Sequence, residues 1–140
     1  MLIEINPNNK KHILLLFKIL KKREFNISNI SEIKFEDHKK FVKNNPYRLW
    51  YFINLEGEII GTTYITFNNE IAINLTKHQI NIYAKIIDQI IKDINPLPEI
   101  ASVRNKYFSI NVPINNIYLE KSLDELGYKP IQTSYILKKI

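Results

Sequence analysis

The stretch LWYFINLEGEIIGTTYITFNNEIAINL, residues 49–75, decides the fold of this chain. It holds three runs rich in branched and aromatic residues, which predict strands over Leu49–Leu55, Glu58–Phe67 and Glu70–Leu75. The runs are joined at Glu56-Gly57 and at Asn68-Asn69, pairs that are typical of tight turns. The middle of the chain is therefore predicted to be a sheet of consecutive hairpins.

Two helices and a short strand are predicted before this sheet. Leu2–Ile5 alternates as a strand does, and apolar residues at helical spacing follow from Lys10 to Arg23. Ser31 is the expected cap of a second, shorter helix, which Pro46 ends.

A helix, a strand, a helix and a strand are predicted after the sheet. The first helix is the isoleucine-rich segment that Pro96 ends, and the second is the segment that Gly127 closes. The predicted strands are Tyr107–Val112 and Ile131–Leu137. The order is β-α-α-β-β-β-α-β-α-β. With no repeat and no linker, residues 1–140 are predicted to form a single α/β (α+β) domain, with a central mixed, mostly antiparallel sheet and about four helices.

Composition narrows the class of protein. Hydrophobic residues make up 45% of the chain and charged residues 24%, which is ordinary for a globular domain. The chain has no cysteine, so disulfides and thiolate metal sites are excluded. No apolar run approaches the ~20 residues of a membrane helix, and the first residues lack a basic leader. These features predict a cytoplasmic protein without a membrane partner.

The basic charge is a weak indication of a nucleic-acid partner. The net charge is +6, and 17 of the basic residues are lysine while only 3 are arginine. The first 43 residues carry a net +5, which suits an anion. Because arginine is scarce and no nucleic-acid motif is present, nucleic acid is not the expected partner. His12, His38 and His78 share no metal-ligand spacing, so no metal is expected.

The segments Asn111-Val-Pro-Ile-Asn-Asn116 and Leu-Asp-Glu-Leu-Gly127-Tyr128, together with the element order, resemble the GNAT superfamily of acetyl-CoA-dependent N-acetyltransferases. The segments Asp37-His38, Tyr47-Arg48 and Trp50-Tyr51 look similar to bacterial members that modify amino sugars. The resemblance covers nearly the whole chain, and no single sharp motif carries it.

The resemblance implies an acetyl-CoA site at the start of the third helix, where backbone N–H groups hold a pyrophosphate. The family pattern there is Gln/Arg-x-x-Gly-x-Gly/Ala. Ile82 stands where glycine is usual, so we expect its side chain to crowd the phosphate and an Ile82→Gly substitution to tighten CoA binding. The residues that the resemblance assigns to the cofactor are Asn74, Leu75, Lys77, Gln79, Ile80, Asn81, Ile82, Tyr83, Ala84 and Asn116.

The resemblance also implies catalytic roles. A backbone N–H at the end of the third sheet strand, near Asn74 or Leu75, would polarise the thioester carbonyl. Glu70 is the expected general base and His38 the second candidate. Leu123 replaces the usual helix tyrosine that protonates the CoA thiolate, and Tyr118 lies five residues earlier.

Tyr47, Arg48 and Trp50 are expected to form the wall of an acceptor site. The implied function is therefore direct acetyl transfer from acetyl-CoA to a small-molecule amine, such as an amino sugar or a nucleotide sugar. The alternative is a catalytically impaired binding or regulatory module with the same fold, which the replacements at Ile82 and Leu123 favour.

Overall fold

The computed structural model describes residues 1–22, 33–77 and 81–139. Five strands and four helices are formed within these ranges, and the predicted cap Ser31 lies outside them. The elements are β1 (Leu2–Glu4), α1 (Lys10–Lys22), α2 (Phe35–Lys43), β2 (Leu49–Leu55), β3 (Glu58–Ile65), β4 (Glu70–Leu75), α3 (Ile82–Asp93), β5 (Ser109–Ile110) and α4 (Ile117–Glu125).

The strands form one open sheet in the order β1-β2-β3-β4-β5. The first four strands pair antiparallel with one another, two of the pairs being hairpins, and β5 lies parallel to β4. A bulge opposite Ile53 and Asn54 places one extra residue, Ile60, in β3. The sheet is mixed and mostly antiparallel, as the sequence predicts.

Each face of the sheet buries a separate apolar core. On one face α1 and α2 pack through Leu16, Ile19 and Val42 against Phe52 of β2. On the other face α3 and α4 pack on the isoleucines of β3 and β4, and Ile86 and Ile90 of α3 are fully buried. Each fully buried side chain of this size contributes about 1.5–3 kcal/mol, so the two helical layers hold the sheet in place.

The connection between α3 and β5 is fastened to the β3–β4 turn by one buried side chain. Asn69 is fully buried with a left-handed backbone, at φ 62°. Its Nδ2 donates to the carbonyl oxygens of Leu97 and Asn105, both at 2.8 Å, and its Oδ1 accepts from the Leu97 N–H at 2.8 Å. Arg104 also donates from Nη1 to the Phe67 carbonyl at 2.9 Å. The segment 94–108 is therefore an ordered loop that fixes where β5 begins.

We expect Asn69→Gly to lower the free energy of unfolding by about 3 kcal/mol, because three backbone groups lose a partner inside the protein. Glycine adopts the left-handed backbone freely, so the loss reports the hydrogen bonds alone. Glu56→Gly is the matched control, since Glu56 also has positive φ but is exposed in a turn. Urea unfolding measures both variants, and equal midpoints for the two would contradict this role of Asn69.

The last predicted strand, Ile131–Leu137, is not formed in this structure. Residues 128–139 contain no helix, strand, turn or bend, and Ile131, Tyr135 and Leu137 are 74%, 82% and 94% exposed. A strand needs a neighbour that supplies hydrogen bonds, and this segment pairs with none of the strands in the described ranges. The predicted strand at Tyr107–Val112 is shorter, at Ser109–Ile110. None of the helices in the described ranges could span a membrane.

Candidate functional site

The strands β4 and β5 separate shortly after they begin to pair. Only Glu70 and Ile71 of β4 have partners in β5, which are Ser109 and Ile110. The last backbone hydrogen bond of this ladder runs from the Asn111 N–H to the Ile71 carbonyl, at 3.1 Å. The remaining part of β4 therefore borders an opening in the sheet.

The backbone N–H of Ile73 points into this opening. The Thr66 N–H donates to the Glu70 carbonyl and the Thr76 N–H to the Ile60 carbonyl, which sets the alternation of hydrogen bonds between β3 and β4. In an antiparallel pair this alternation turns every second residue away from the neighbouring strand. Ile73 is the first such residue beyond the last bond to β5, and no hydrogen bond joins its N–H to Asn111, the residue that follows β5.

This geometry refines the predicted position of the carbonyl-polarising N–H. The same alternation turns the Asn74 N–H toward β3, whereas the Leu75 N–H faces the opening. Ile73 was not among the residues that the sequence suggested. Its position depends on where the β4–β5 ladder ends, and that depends on the length of β5, which the sequence pattern overestimates.

Partly exposed aromatic rings line the sheet face that carries Glu70. Cross-strand pairing puts Trp50 opposite Tyr64, and Tyr64 opposite Ala72, on one face. Tyr47 stacks on Tyr64 with ring centroids 3.9 Å apart and lies edge-on to Trp50 at 4.9 Å. Exposed Phe41 packs edge-on against Tyr47 and Trp50. We call Phe41, Tyr47, Trp50 and Tyr64 the aromatic wall.

The predicted acceptor wall is brought together only in part. Tyr47 and Trp50 are in contact, but Arg48 donates from Nη1 to the carbonyl of Asn95, the second residue beyond α3, at 3.0 Å. Tyr64 is a wall residue that sequence reasoning missed. Its position opposite Trp50 follows from the β2–β3 register, which the hairpin turn and the bulge set together.

Glu70 lies in the paired part of the β4–β5 ladder, and its side chain reaches Asn111, where the two strands begin to separate. It is half-buried and begins β4 on the same face as Ala72, two residues along the strand. Its Oε2 accepts a hydrogen bond from Asn111 Nδ2 at 3.0 Å, across the two separating strands. A carboxylate held in this way keeps its second oxygen available for a proton, as a general base requires. Asn111 is therefore the residue that orients it.

His38, the second candidate base, lies between α1 and α2. Its Nε2 is 3.2 Å from the Ile13 carbonyl oxygen, and its ring packs against Phe17 and Phe35. Burial lowers the pKa of His38 below 6.5, and the hydrogen bond to the Ile13 carbonyl opposes this only in part. His38 therefore contacts residues of α1 and α2, whereas Glu70 begins β4 and contacts Asn111.

We expect the buried His38 to make the protein less stable in mild acid. Because its folded pKa lies below 6.5, the unfolded chain binds more protons than the folded chain once the pH falls through about 6.5. The contribution is complete above that pH and is lost progressively as the pH falls below about 6.5. Urea unfolding at pH 7.5 and pH 5 should show a smaller pH dependence for His38→Gln than for the parent chain. If the stability of the two proteins changes equally with pH, His38 is not the cause of the loss.

At the start of α3, the side chain of Ile82 does not lie where it was predicted to crowd a phosphate. The side chain of Ile82 is 3% exposed and belongs to the core with Leu75 and Ile86, so it does not crowd the surface at the helix start. The side chain does not lie where the prediction for Ile82→Gly needs it, and the substitution would also remove a core side chain. Asn81 precedes the helix at φ 72°, a left-handed backbone that asparagine tolerates.

The other predicted cofactor residues differ in burial and in their partners. Gln79 and Ile80 lie outside the described residues. Ala84 is half-buried in the first turn of α3, and that turn holds no acidic side chain. Lys77 Nζ lies 2.6 Å from Glu58 Oε1 in an exposed ion pair.

Asn116 joins the two helices of one layer. Its Oδ1 accepts from the Leu119 N–H at 3.1 Å and so caps α4, while its Nδ2 donates to the buried Tyr83 hydroxyl at 3.1 Å. Both side chains are buried, so their visible role is to fix α4 against α3. Tyr118 is partly exposed on α4, and Leu123 packs against the core.

The described part of the chain holds no cluster of three or more His, Cys, Asp or Glu side chains that could bind a metal ion.

Comparison with known proteins gives one informative likeness. The chain is similar to the crystal structure of a possible acetyltransferase from Clostridium difficile 630, with a TM-score of 0.54 and 13% sequence identity. The chain shares that protein's fold. The alignment covers 100% of this chain and 97% of the other, so the likeness extends over the whole domain and confirms the predicted fold class. No family model and no curated protein matches the sequence.

Proposed function

We propose that this chain transfers an acetyl group from acetyl-CoA to the amine of a small molecule. The observation that carries the proposal is the Ile73 N–H at the opening between β4 and β5, beside a half-buried carboxylate at Glu70. An N–H that faces a sheet opening suits a thioester carbonyl oxygen, and a neighbouring carboxylate suits an amine proton. The fold shared with a possible acetyltransferase supports the same activity.

The reaction proceeds by direct attack in this proposal. The acceptor nitrogen forms a C–N bond with the thioester carbonyl carbon, and the Ile73 N–H stabilises the charge that develops on the carbonyl oxygen. Glu70 accepts a proton from the amine, directly or through water, and Asn111 keeps the carboxylate in place. The C–S bond then breaks and CoA leaves as a thiolate, which needs no acid from the protein because a thiol has a pKa of ~8.5.

The aromatic wall is proposed to bind the acceptor. Its rings are partly exposed and stand on the same sheet face as Glu70. Aromatic faces pack well against flat, weakly polar surfaces such as a sugar ring or a nucleobase. An amino sugar or a nucleotide sugar could thus place its amine toward the carboxylate.

The start of α3 is proposed to bind the CoA pyrophosphate. The first N–H groups of a helix have no partner within the helix and carry partial positive charge, which favours an anion. The buried Ile82 connects this helix start to the end of β4 through the core residue Leu75. CoA can therefore extend from the opening at Ile73 toward the first turn of α3, where no acidic side chain opposes it.

We expect Glu70→Gln to lower the turnover of amine acetylation about 100-fold while the KM for acetyl-CoA changes by less than about twofold. Glutamine keeps the hydrogen bond from Asn111 through its carbonyl oxygen but cannot accept the proton. Glu99→Gln, at an exposed loop position, is the matched control. Initial rates are measured over a panel of amino sugars and simple amines, with CoA release as the signal.

Two outcomes would change the proposal. If Glu70→Gln and Glu99→Gln have equal rates and equal pH–rate profiles, Glu70 is not the base. If the parent chain binds acetyl-CoA but acetylates no amine in the panel, a binding module with this fold becomes the better explanation.

A further inference from the structure

The segment 128–139 is apolar and yet exposed. Twelve of the nineteen exposed large hydrophobic side chains in the described part of the chain lie between residues 100 and 137. Four of them, Ile131, Tyr135, Ile136 and Leu137, are in this segment and are at least 74% exposed. Contiguous apolar exposure on this scale marks an interaction surface.

The sequence of the segment is that of a strand. Ile131, Thr133, Tyr135 and Leu137 would lie on one face of a strand. The other face would carry Gln132, Ser134, Ile136 and Lys138, and is the more polar of the two. No turn, bend or helix interrupts residues 128–139. The segment therefore has the pattern of a strand but pairs with none of the strands that the structure describes.

The outer edge of β5 offers such a neighbour. Ser109 and Asn111 donate their N–H groups to β4, so the backbone groups of Ile110 point away from the sheet. Phe108, Ile110 and Val112 are only half-buried against the core of α3 and α4. A strand added at this edge would pair with the outward backbone groups and cover these side chains.

The geometry favours a second copy of the chain over the same copy. Gly127 has φ 86° after α4, and beyond it the segment leaves the domain with its side chains exposed. Twelve extended residues reach about 40 Å, which is enough to cross to a neighbouring molecule. In a reciprocal exchange the segment of each copy pairs with the β5 edge of the other, so both edges are covered. A two-fold interface requires this symmetry.

We infer that the segment 128–139 of each chain adds as a strand to the outer edge of β5 in a second copy, so that the protein is a strand-exchanged dimer. The exchange completes the sheet with the strand that the sequence predicts. It also extends the sheet beside Asn111, the residue that holds Glu70, although it does not depend on the proposed activity.

The test is the mass in solution of the full chain and of two variants. Sedimentation equilibrium between 1 and 100 µM should give twice the chain mass of 16.6 kDa. Ser134→Pro removes an N–H and stiffens the middle of the segment, so we expect a monomer with unchanged far-UV circular dichroism. Ser134→Ala is the matched control and should remain a dimer. A monomeric parent chain at 100 µM, or a Ser134→Pro variant that dimerises like the parent, would overturn the inference.

Hydrogen exchange on the unmodified chain separates the remaining outcomes and does not depend on how the proline variant folds. The amides of residues 131–137 should be protected at high concentration and lose protection on dilution, as the dimer dissociates. Protection that does not change with concentration in a monomer means that the segment pairs with its own β5, which overturns the exchange. Absence of protection in a dimer means that the dimer forms elsewhere, with the same consequence.

Discussion

Gly61→Ala is expected to destabilise the fold of this chain strongly. Gly61 lies opposite Leu75 in the β3–β4 pair, and a Cβ atom there would meet the Asn74 carbonyl oxygen, with Leu75 Cα at 2.9 Å. These are backbone atoms of the central sheet, so no side-chain rotation relieves the contact. We expect the free energy of unfolding to fall by about 4 kcal/mol, which is a large share of the ~5–15 kcal/mol that stabilises a typical domain.

Gly57→Ala is the matched control for this change. It adds the same methyl group at a position with no atom within 4 Å, where only the positive φ of 87° opposes it. The expected loss is about 1 kcal/mol. Far-UV circular dichroism and urea unfolding measure both variants, and a Gly61→Ala chain as stable as Gly57→Ala would show that β3 and β4 are not packed as described.

Replacing the Ile73 amide by an ester is expected to lower acetyl transfer by 10²–10³-fold, the usual consequence of losing one oxyanion donor. The ester keeps the Ile73 side chain in the core and removes only the N–H that faces the opening. Because that N–H bonds to neither neighbouring strand, the stability of the sheet should change little. Turnover and urea unfolding are measured on the same ester-containing protein.

The same ester at Ala72 is the control. The Ala72 N–H faces β3 in the hydrogen-bond alternation, so its loss should weaken the sheet by about 1 kcal/mol and leave the donor at Ile73 in place. Equal turnover of the two ester proteins would remove Ile73 from the proposed mechanism.

The sheet was predictable because its signals are local. The strand bounds Leu49–Leu55 and Glu70–Leu75 are the same in sequence and structure, since paired turn residues delimit them. Glu56 and Gly57 have φ values of 52° and 87°, the left-handed conformations that a two-residue hairpin turn requires. Neighbouring residues of a strand point to opposite faces of the sheet. Each face therefore packs against one of the two helical layers.

The parts that sequence reasoning missed depend on long-range geometry. Ile82 occupies a motif position in the sequence, but its burial follows from how α3 sits on the sheet. The position of the Ile73 N–H follows from the point at which β4 and β5 separate. The Tyr64 contact follows from the register around the Ile60 bulge. The segment Ile131–Leu137 has the local pattern of a strand but pairs with no strand in the part of the chain that the structure describes.

Calorimetric titration of the purified chain with acetyl-CoA and with CoA tests the central claim most directly. If the opening between β4 and β5 and the start of α3 form an acyl-CoA site, one acetyl-CoA should bind per chain with micromolar affinity. CoA should bind more weakly, because it lacks the carbonyl that the Ile73 N–H would contact. No heat of binding up to millimolar acetyl-CoA would contradict the proposed activity.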